Sequence, residues 1–152
     1  MAHNLTDNFT LEELTATDTG LDNSVSRNSV TFLRILTMAR LLQNVRNRVG
    51  FPIIVNSCFR SQLVNRAVGG SRTSFHLIGA AADIRTWHLS DLQKSDLEDA
   101  LRDYSPREFI KYDTFWHVAF DFSRLATDDG HLSTLDQEFP GFCGETRVTG
   151  DL

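Results

Sequence analysis

The sequence predicts an α+β fold in which a small, mostly antiparallel sheet carries helices packed on it. Capping boxes begin two helical segments, another segment has a long apolar face of helical period, and short apolar runs of strand length lie among them. The chain has 152 residues, the usual length of one domain. A chain of this length buries about 68–70% of its unfolded surface on folding. We therefore expect a single domain over residues 1–152 that folds without disulfides.

Four segments carry helix signals. The first and the last begin with capping boxes, Thr10 with Glu13 and Ser90 with Gln93, whose side chains satisfy free backbone N–H groups. The second places its apolar residues on one 3.6-period face and is followed by Gly50, a typical helix end. The predicted helices are residues 10 onward, 29–49, 61–68 and 90 to about 104.

Four apolar runs have the length of strands, namely residues 52–57, 79–86, 108–112 and 115–122. In the second run Ala80, Ala81 and Ala82 allow neighbouring backbones to approach closely. The last two runs are separated only by Asp113-Thr114, which predicts a hairpin with a tight turn. From about residue 123 the chain is polar and has no clear period, so we expect a weakly structured tail.

Composition excludes several classes of function. The formal net charge is −5 and the arginines are scattered, which argues against a nucleic-acid partner. No apolar stretch approaches the roughly 20 residues needed to cross a bilayer. The first residues lack the basic and apolar regions of a secretory signal, so we expect synthesis in a cytoplasm. Cys58 and Cys143 are too few and too far apart for a disulfide framework, and we interpret them as free thiols.

Three polar residues lie in unusual surroundings: His76, Asp83 and His117. Asp83 and His117 fall in apolar, strand-like runs, where an unpaired polar side chain is costly. Imidazole and carboxylate are natural zinc ligands, and three of them leave a fourth position for water, as catalytic zinc sites do. Structural zinc sites are usually closed by four ligands. The three residues therefore suggest a catalytic zinc site.

A metal-free interpretation fits the same residues. A histidine beside aromatic residues is often a hydrogen-bonded core residue, and Asp83 can cap a turn or pair with Arg85. Spacing alone does not decide between these interpretations. His88 precedes the predicted cap at Ser90, and His3 and His131 lie in weakly structured ends, so we do not expect these three to be ligands.

Six stretches occur together in a characteristic order: residues 9–14 (Phe-Thr-Leu-Glu-Glu-Leu), 57–60 (Ser-Cys-Phe-Arg), Asn65, Gly69-Gly70, 74–84 (Ser-Phe-His-Leu-Ile-Gly-Ala-Ala-Ala-Asp-Ile) and 116–118 (Trp-His-Val). Together they resemble the M15 peptidase family, and small phage-type members in particular. These are zinc D-Ala-D-Ala carboxypeptidases and L-Ala-D-Glu endopeptidases of bacterial peptidoglycan, with a fold shared by the Hedgehog signalling domain. The resemblance covers about residues 9–122.

The resemblance implies that His76, Asp83 and His117 hold one Zn²⁺ per chain. It implies that Arg60 steers a substrate carboxylate or polarises the scissile carbonyl, although a surface ion pair is its simpler interpretation. Ser74 is expected to form hydrogen bonds near the site and contact substrate. Gly69 and Gly70 most simply end a helix with positive φ, and Asn65 fits a solvated helix position equally well.

One position departs from the family pattern. The family's general base is usually an Asp or Glu three residues before the final histidine, and this sequence has Thr114 there. Asp113 precedes His117 by four residues at the predicted turn, and we take it as the catalytic base. Asp is also a common plain turn residue. Glu108 is the reserve candidate for the base.

The resemblance therefore implies a monomeric zinc peptidase that cleaves stem peptides of peptidoglycan, with no nucleic-acid or membrane partner. A phage lysis enzyme or virion component would act on the cell wall after synthesis in the cytoplasm. The Thr114 departure leaves an alternative, a zinc-containing module without a working base that binds cell wall or a protein. A metal-free structural protein is the third hypothesis.

Overall fold

Four strands form one antiparallel sheet in the order β1-β2-β4-β3. They are β1 (Val55–Ser57), β2 (Ala81–Arg85), β3 (Glu108–Lys111) and β4 (Phe115–Ala119). The computed structural model describes residues 3–122, so the predicted tail, His131 and Cys143 lie outside the described residues. The predicted α+β class with an antiparallel sheet is confirmed.

Four α-helices accompany the sheet: α1 (Leu11–Leu14), α2 (Val30–Val49), α3 (Gln62–Ala67) and α4 (Asp91–Arg102). The capping box at the start of α4 is complete, because Ser90 and Gln93 each accept a backbone N–H of the other. At α1 the Thr10 hydroxyl accepts the Glu13 N–H. Gly50 ends α2 in the left-handed conformation (φ 81°), which a residue with a side chain rarely adopts.

The hydrophobic core lies between one face of the sheet and helices α2 and α4, which contact each other. Period-2 alternation in β4 directs Trp116 and Val118 into this core and leaves His117 on the other face. On that second face Asp83 of β2 lies directly opposite His117. The sheet therefore separates an apolar core face from a face that carries polar groups.

The strands are shorter than the apolar runs predicted. Residues 52–54 precede β1 and lie outside it, although the Ile54 carbonyl still accepts the Arg85 N–H at 2.9 Å. A register irregularity between Val55 and Ser57 interrupts the pairing of β1 with β2. The sequence also did not predict a 3₁₀ helix at Phe75–Ile78, which contains His76. Within residues 3–122, no helix is both long enough and apolar enough to cross a bilayer.

Candidate metal centre

The structure brings His76, Asp83 and His117 together, with one potential ligand atom of each within 4.8 Å of the others. The Asp83 Oδ1 atom lies 3.1 Å from His76 Nε2 and 3.0 Å from His117 Nδ1. The three come from different elements: the 3₁₀ helix, β2 and β4. Asp83 and His117 meet because they are direct partners across the antiparallel pair of β2 and β4.

His76 is fixed by local backbone structure. The Ser74 hydroxyl caps the 3₁₀ helix by accepting the His76 N–H at 3.1 Å. Gly79 then ends this helix at φ 74°, so close to α2 that a Cβ there would lie 2.8 Å from Ile35 Cγ1. The imidazole is 1% exposed, and its Nδ1 lies 2.6 Å from the Cys58 carbonyl oxygen. A carbonyl can only accept, so Nδ1 holds a proton and the neutral ring presents a lone pair at Nε2.

His117 has the complementary arrangement on β4. Its Nε2 lies 2.8 Å from Glu108 Oε1, while its Nδ1 faces Asp83. Glu108 is the cross-strand partner of Ala119 and so lies diagonal to His117 on the same face of the sheet. A proton on Nε2 that is donated to Glu108 leaves a lone pair at Nδ1. This is how a carboxylate orients a metal-binding histidine in known sites.

These contacts test whether a metal fits. All four ring nitrogens of His76 and His117 face oxygen atoms, yet two neutral rings carry only two protons. The protons at His76 Nδ1 and His117 Nε2 leave two nitrogen lone pairs directed at the Asp83 carboxylate, which is repulsive unless positive charge lies between them. Protons can supply that charge in the metal-free protein, and one divalent ion can replace them. Tetrahedral zinc ligands lie about 3.3 Å apart, close to the observed nitrogen–oxygen separations. The donor set therefore fits zinc.

The pKa values of the site residues agree with a need for positive charge between Asp83 and the two histidines. Burial alone would raise the pKa of the Asp83 carboxyl, but hydrogen bonds from His117 and His76 outweigh it and hold this pKa at about 2. Burial would lower the pKa of His117, yet the Asp83 and Glu108 carboxylates raise it above its usual value. Burial, with a contribution from the Asp83 charge, raises the pKa of the Cys58 thiol to about 12, so this free cysteine stays protonated.

A cavity of about 340 Å³ opens onto the three residues. Its other lining residues are Arg60, Ser71, Thr73, Ser74, Glu108, Ile110, Tyr112 and Phe115. Two candidates from the sequence, Arg60 and Ser74, thus reach the cavity, and so does the reserve base Glu108. Asp113 is exposed in the turn between β3 and β4 and is not among the lining residues. His88 is likewise exposed, and His3 pairs with Glu12 at the surface.

Arg60 is held against the site by its backbone and its side chain. Its N–H donates to the His76 carbonyl at 3.0 Å, and its Nη1 donates to Asn65 Oδ1 at 3.0 Å. Its Nε is buried and has no hydrogen-bond partner among the described residues. Burial lowers the pKa of Arg60, and the nearby Asp83 charge partly offsets this effect. The Arg60 guanidinium therefore lines the cavity and does not form an exposed ion pair.

Asn65 and Gly70 have roles that the sequence analysis did not identify. Asn65 is 4% exposed, and its Nδ2 donates to the Ser71 carbonyl while its Oδ1 accepts from Arg60. Gly69 has the expected positive φ of 72°, but Gly70 does not. A Cβ on Gly70 would lie 2.1 Å from Asn65 Oδ1 and 2.6 Å from Arg60 Nη1. Because Gly70 has no side chain, it leaves the space that the ends of the Asn65 and Arg60 side chains occupy. This role can be recognised only in the folded structure.

Comparison with known proteins places the chain in a family. The family model described as Peptidase M15 matches residues 7–120, which is most of the chain and includes all three candidate ligands. No curated protein matches the chain.

Proposed function

The chain belongs to the M15 peptidase family, and from this premise we propose that it is a zinc peptidase that cleaves a peptide bond in the stem peptide of peptidoglycan. The observation that carries the proposal is the convergence of two ring nitrogens, His76 Nε2 and His117 Nδ1, on the Asp83 carboxylate at 3.1 and 3.0 Å. His76 Nε2, Asp83 Oδ1 and His117 Nδ1 would hold the ion. The stem peptide as substrate follows from the family and not from the site.

A bound zinc ion supplies Lewis acidity, which lowers the pKa of water from 15.7 to about 7 and polarises carbonyl groups. The residues around it have separate tasks. The Cys58 carbonyl and the Glu108 carboxylate accept the remaining imidazole protons and so fix which nitrogen of His76 and of His117 would be available to the ion. Asp83 stays ionised because of its low pKa.

We assign the general base to Glu108 and not to Asp113, because Glu108 lines the cavity and contacts His117. Within the described residues only Oε1 of Glu108 has a hydrogen-bond partner, so Oε2 can accept from a water in the cavity. Glu108 would take a proton from the attacking water as its oxygen bonds to the scissile carbon. It would return the proton to the leaving nitrogen as the carbon–nitrogen bond breaks.

Arg60 is the cation placed to bind the oxygen of the scissile carbonyl as it gains negative charge. Its unpartnered buried Nε is a donor that a substrate oxygen can satisfy. Ser74 already accepts the His76 N–H through its hydroxyl oxygen. The hydroxyl proton of Ser74 can in addition be donated to a substrate carbonyl in the cavity.

The second candidate function is a binding module of the same fold. The contact between Glu108 and His117 favours it, because a carboxylate that only orients a ligand leaves the site without a base. Incubation of the zinc-loaded protein with purified peptidoglycan fragments, followed by mass spectrometry, separates the two. We expect new cleavage products from the wild type and none from Asp83→Ala. Retention of intact fragments by a zinc-loaded protein that cleaves nothing would instead establish the binding module.

A further inference from the structure

A pocket of about 440 Å³ lies near the candidate metal centre but shares no lining residue with the cavity that opens onto it. We call it the arginine pocket, and it is lined by Gln62, Asn65, Arg66, Arg72 and Leu77. Asn65 connects the two spaces, because its Oδ1 accepts from Arg60, which lines the cavity. Ser71 lines the cavity as well, and the next residue, Arg72, lines the pocket.

Helix α3 and the segment after it position the polar groups of the arginine pocket. Gln62, Asn65 and Arg66 are three and four residues apart on α3 and therefore share one face of the helix. The Asn65 Nδ2 donates to the Ser71 carbonyl at 3.0 Å, and this bond holds the segment that carries Arg72 against α3. The fold thus brings two arginines to one pocket.

The positive charge of the pocket is not compensated. Within the described part of the chain, no ion pair or hydrogen bond joins the guanidinium of Arg66 or of Arg72 to another residue. Residues 60–82 contain three arginines and neither Asp nor Glu, although the formal net charge of the whole chain is −5. Two uncompensated guanidinium groups at one pocket attract an anion.

The amide groups of the pocket add further donors. Asn65 is 4% exposed, and its Nδ2 carries two protons, of which the Ser71 carbonyl accepts one. The other proton has no acceptor among residues 3–122, since the Asn65 Oδ1 is directed at Arg60. The exposed Gln62 amide can donate too, and none of the lining residues is acidic. A ligand that satisfies this pocket must therefore supply several acceptors and negative charge.

We propose that the arginine pocket binds an oxyanion, namely a phosphate or carboxylate group of a cell-wall polymer. A guanidinium presents its donors in a planar fork that matches two oxygen atoms of either group. An anion bound there would hold its polymer beside the metal centre. The oxyanion site is independent of the proposed peptidase function, whereas the cell wall as the source of the anion rests on it.

The probe for the site is inorganic phosphate, titrated calorimetrically into the zinc-loaded protein at constant ionic strength. We expect the wild type to bind one phosphate per chain. Arg66→Gln and Arg72→Gln should each weaken this binding at least tenfold, because each removes a charge-assisted hydrogen-bond donor. Phosphate that binds at the zinc ion instead would be unaffected by both variants and lost in Asp83→Ala, and this result would overturn the proposal.

Arg27→Gln is the matched control, because Arg27 is exposed, lies outside the pocket and loses the same charge. It should bind phosphate as the wild type does. Arg66 and Arg72 are exposed, so their variants should fold, and an unchanged Tm checks this. Equal weakening in Arg27→Gln, or no saturable binding by the wild type, would also overturn the site.

Competition against bound phosphate identifies the source of the anion. Displacement by a soluble phosphodiester polymer alone would assign the pocket to phosphate groups, and displacement by a soluble stem pentapeptide alone would assign it to carboxylates. Displacement by neither would overturn the assignment to the cell wall. Cleavage of the stem peptide is measured separately on the same wild-type preparation, so failure of the peptidase function is distinguishable from failure of the oxyanion site.

Discussion

Glu108 and His117 are diagonal neighbours on adjacent antiparallel strands, and their side chains meet with Oε1 2.8 Å from Nε2. The residue directly opposite Glu108 is Ala119, whose methyl group leaves the glutamate free to lean toward the histidine. This contact fixes His117 with Nδ1 toward Asp83. The strand pairing that orients the imidazole therefore also brings a carboxylate to the centre.

The first prediction concerns the base. Glu108→Gln should lower turnover of stem peptide by roughly 10²–10⁴-fold, because an amide cannot accept the proton that a general base removes. Asp113→Asn is the matched control and should stay within about twofold of wild type. Zinc content must be measured alongside, since the amide oxygen of Gln can still accept from His117 Nε2 and the ion should remain bound.

The reverse result, an inactive Asp113→Asn and a fully active Glu108→Gln, would return the base to Asp113. Equal activity of Glu108→Gln and wild type would restrict Glu108 to orienting His117.

The second prediction concerns the ligands. His76→Ala, Asp83→Ala and His117→Ala should each lose most of the single zinc ion, because two remaining ligands hold the ion poorly. Elemental analysis after dialysis against metal-free buffer measures this loss. His88→Ala, at an exposed position away from the site, should retain about one zinc per chain. Stoichiometric zinc in all three ligand variants would show that the ion is bound elsewhere.

The grouping of His76, Asp83 and His117 was predictable from the sequence, whereas the groups that orient these side chains were mostly not. Asp83 and His117 stand out because they are polar residues in apolar strands, and the antiparallel pairing of these strands brings them together. His76 Nδ1 instead depends on the Cys58 carbonyl, a backbone group that any residue type supplies. No residue pattern could indicate that contact.

The choice between Asp113 and Glu108 as the proposed base illustrates a different limit. Along the chain Asp113 is closer to His117 than Glu108 is, and nearness in sequence favoured it. In an antiparallel pair, however, the residue across the sheet from position i is set by the register, so Glu108 reaches His117 although nine residues separate them. Asp113 is exposed in the turn and is not among the residues that line the cavity. Predicting this required the register, which depends on the exact strand ends.

The third prediction is a pH dependence. Carboxylates raise the pKa of His117 in the metal-free protein, so protonated His117 stabilises that protein fully below about pH 6.5. This contribution is lost as the pH rises through the raised pKa. Zinc requires the deprotonated ring, so the stabilisation by zinc should grow over the same interval. We expect the difference in Tm between zinc-loaded and EDTA-treated protein to be larger at pH 8 than at pH 6.

Glu108→Gln removes one of the two carboxylates that raise the pKa of His117. In this variant the Tm difference between zinc-loaded and EDTA-treated protein should therefore begin to increase at a lower pH. A Tm difference that is constant from pH 6 to pH 8 would contradict this account of the site.

The fourth prediction is that Arg60→Lys lowers kcat at least tenfold although it keeps the charge. A guanidinium presents several donors in a planar fork, so Arg60 can bond Asn65 through Nη1 and still offer Nε to a substrate oxygen. An ammonium group lacks this geometry. Kinetics on the stem peptide check the effect, with Arg27→Lys at an exposed position as the control. Unchanged kcat in Arg60→Lys would remove Arg60 from the reaction.

The last prediction tests the same arginine without changing it. Gly70→Ala adds a Cβ whose position would be 2.1 Å from Asn65 Oδ1 and 2.6 Å from Arg60 Nη1, so these side-chain ends must move. Both are the far ends of side chains, and Gly70 has no positive φ, so the variant should fold. Because the Arg60–Asn65 hydrogen bond is displaced, kcat should fall about as in Arg60→Lys while zinc content stays at one per chain.

Ser71→Ala is the control, one residue later. It removes a hydroxyl from the cavity lining but leaves the Ser71 carbonyl that accepts from Asn65, and it should keep kcat within about threefold. If Gly70→Ala is fully active while Arg60→Lys is impaired, Arg60 acts independently of its hydrogen bond to Asn65.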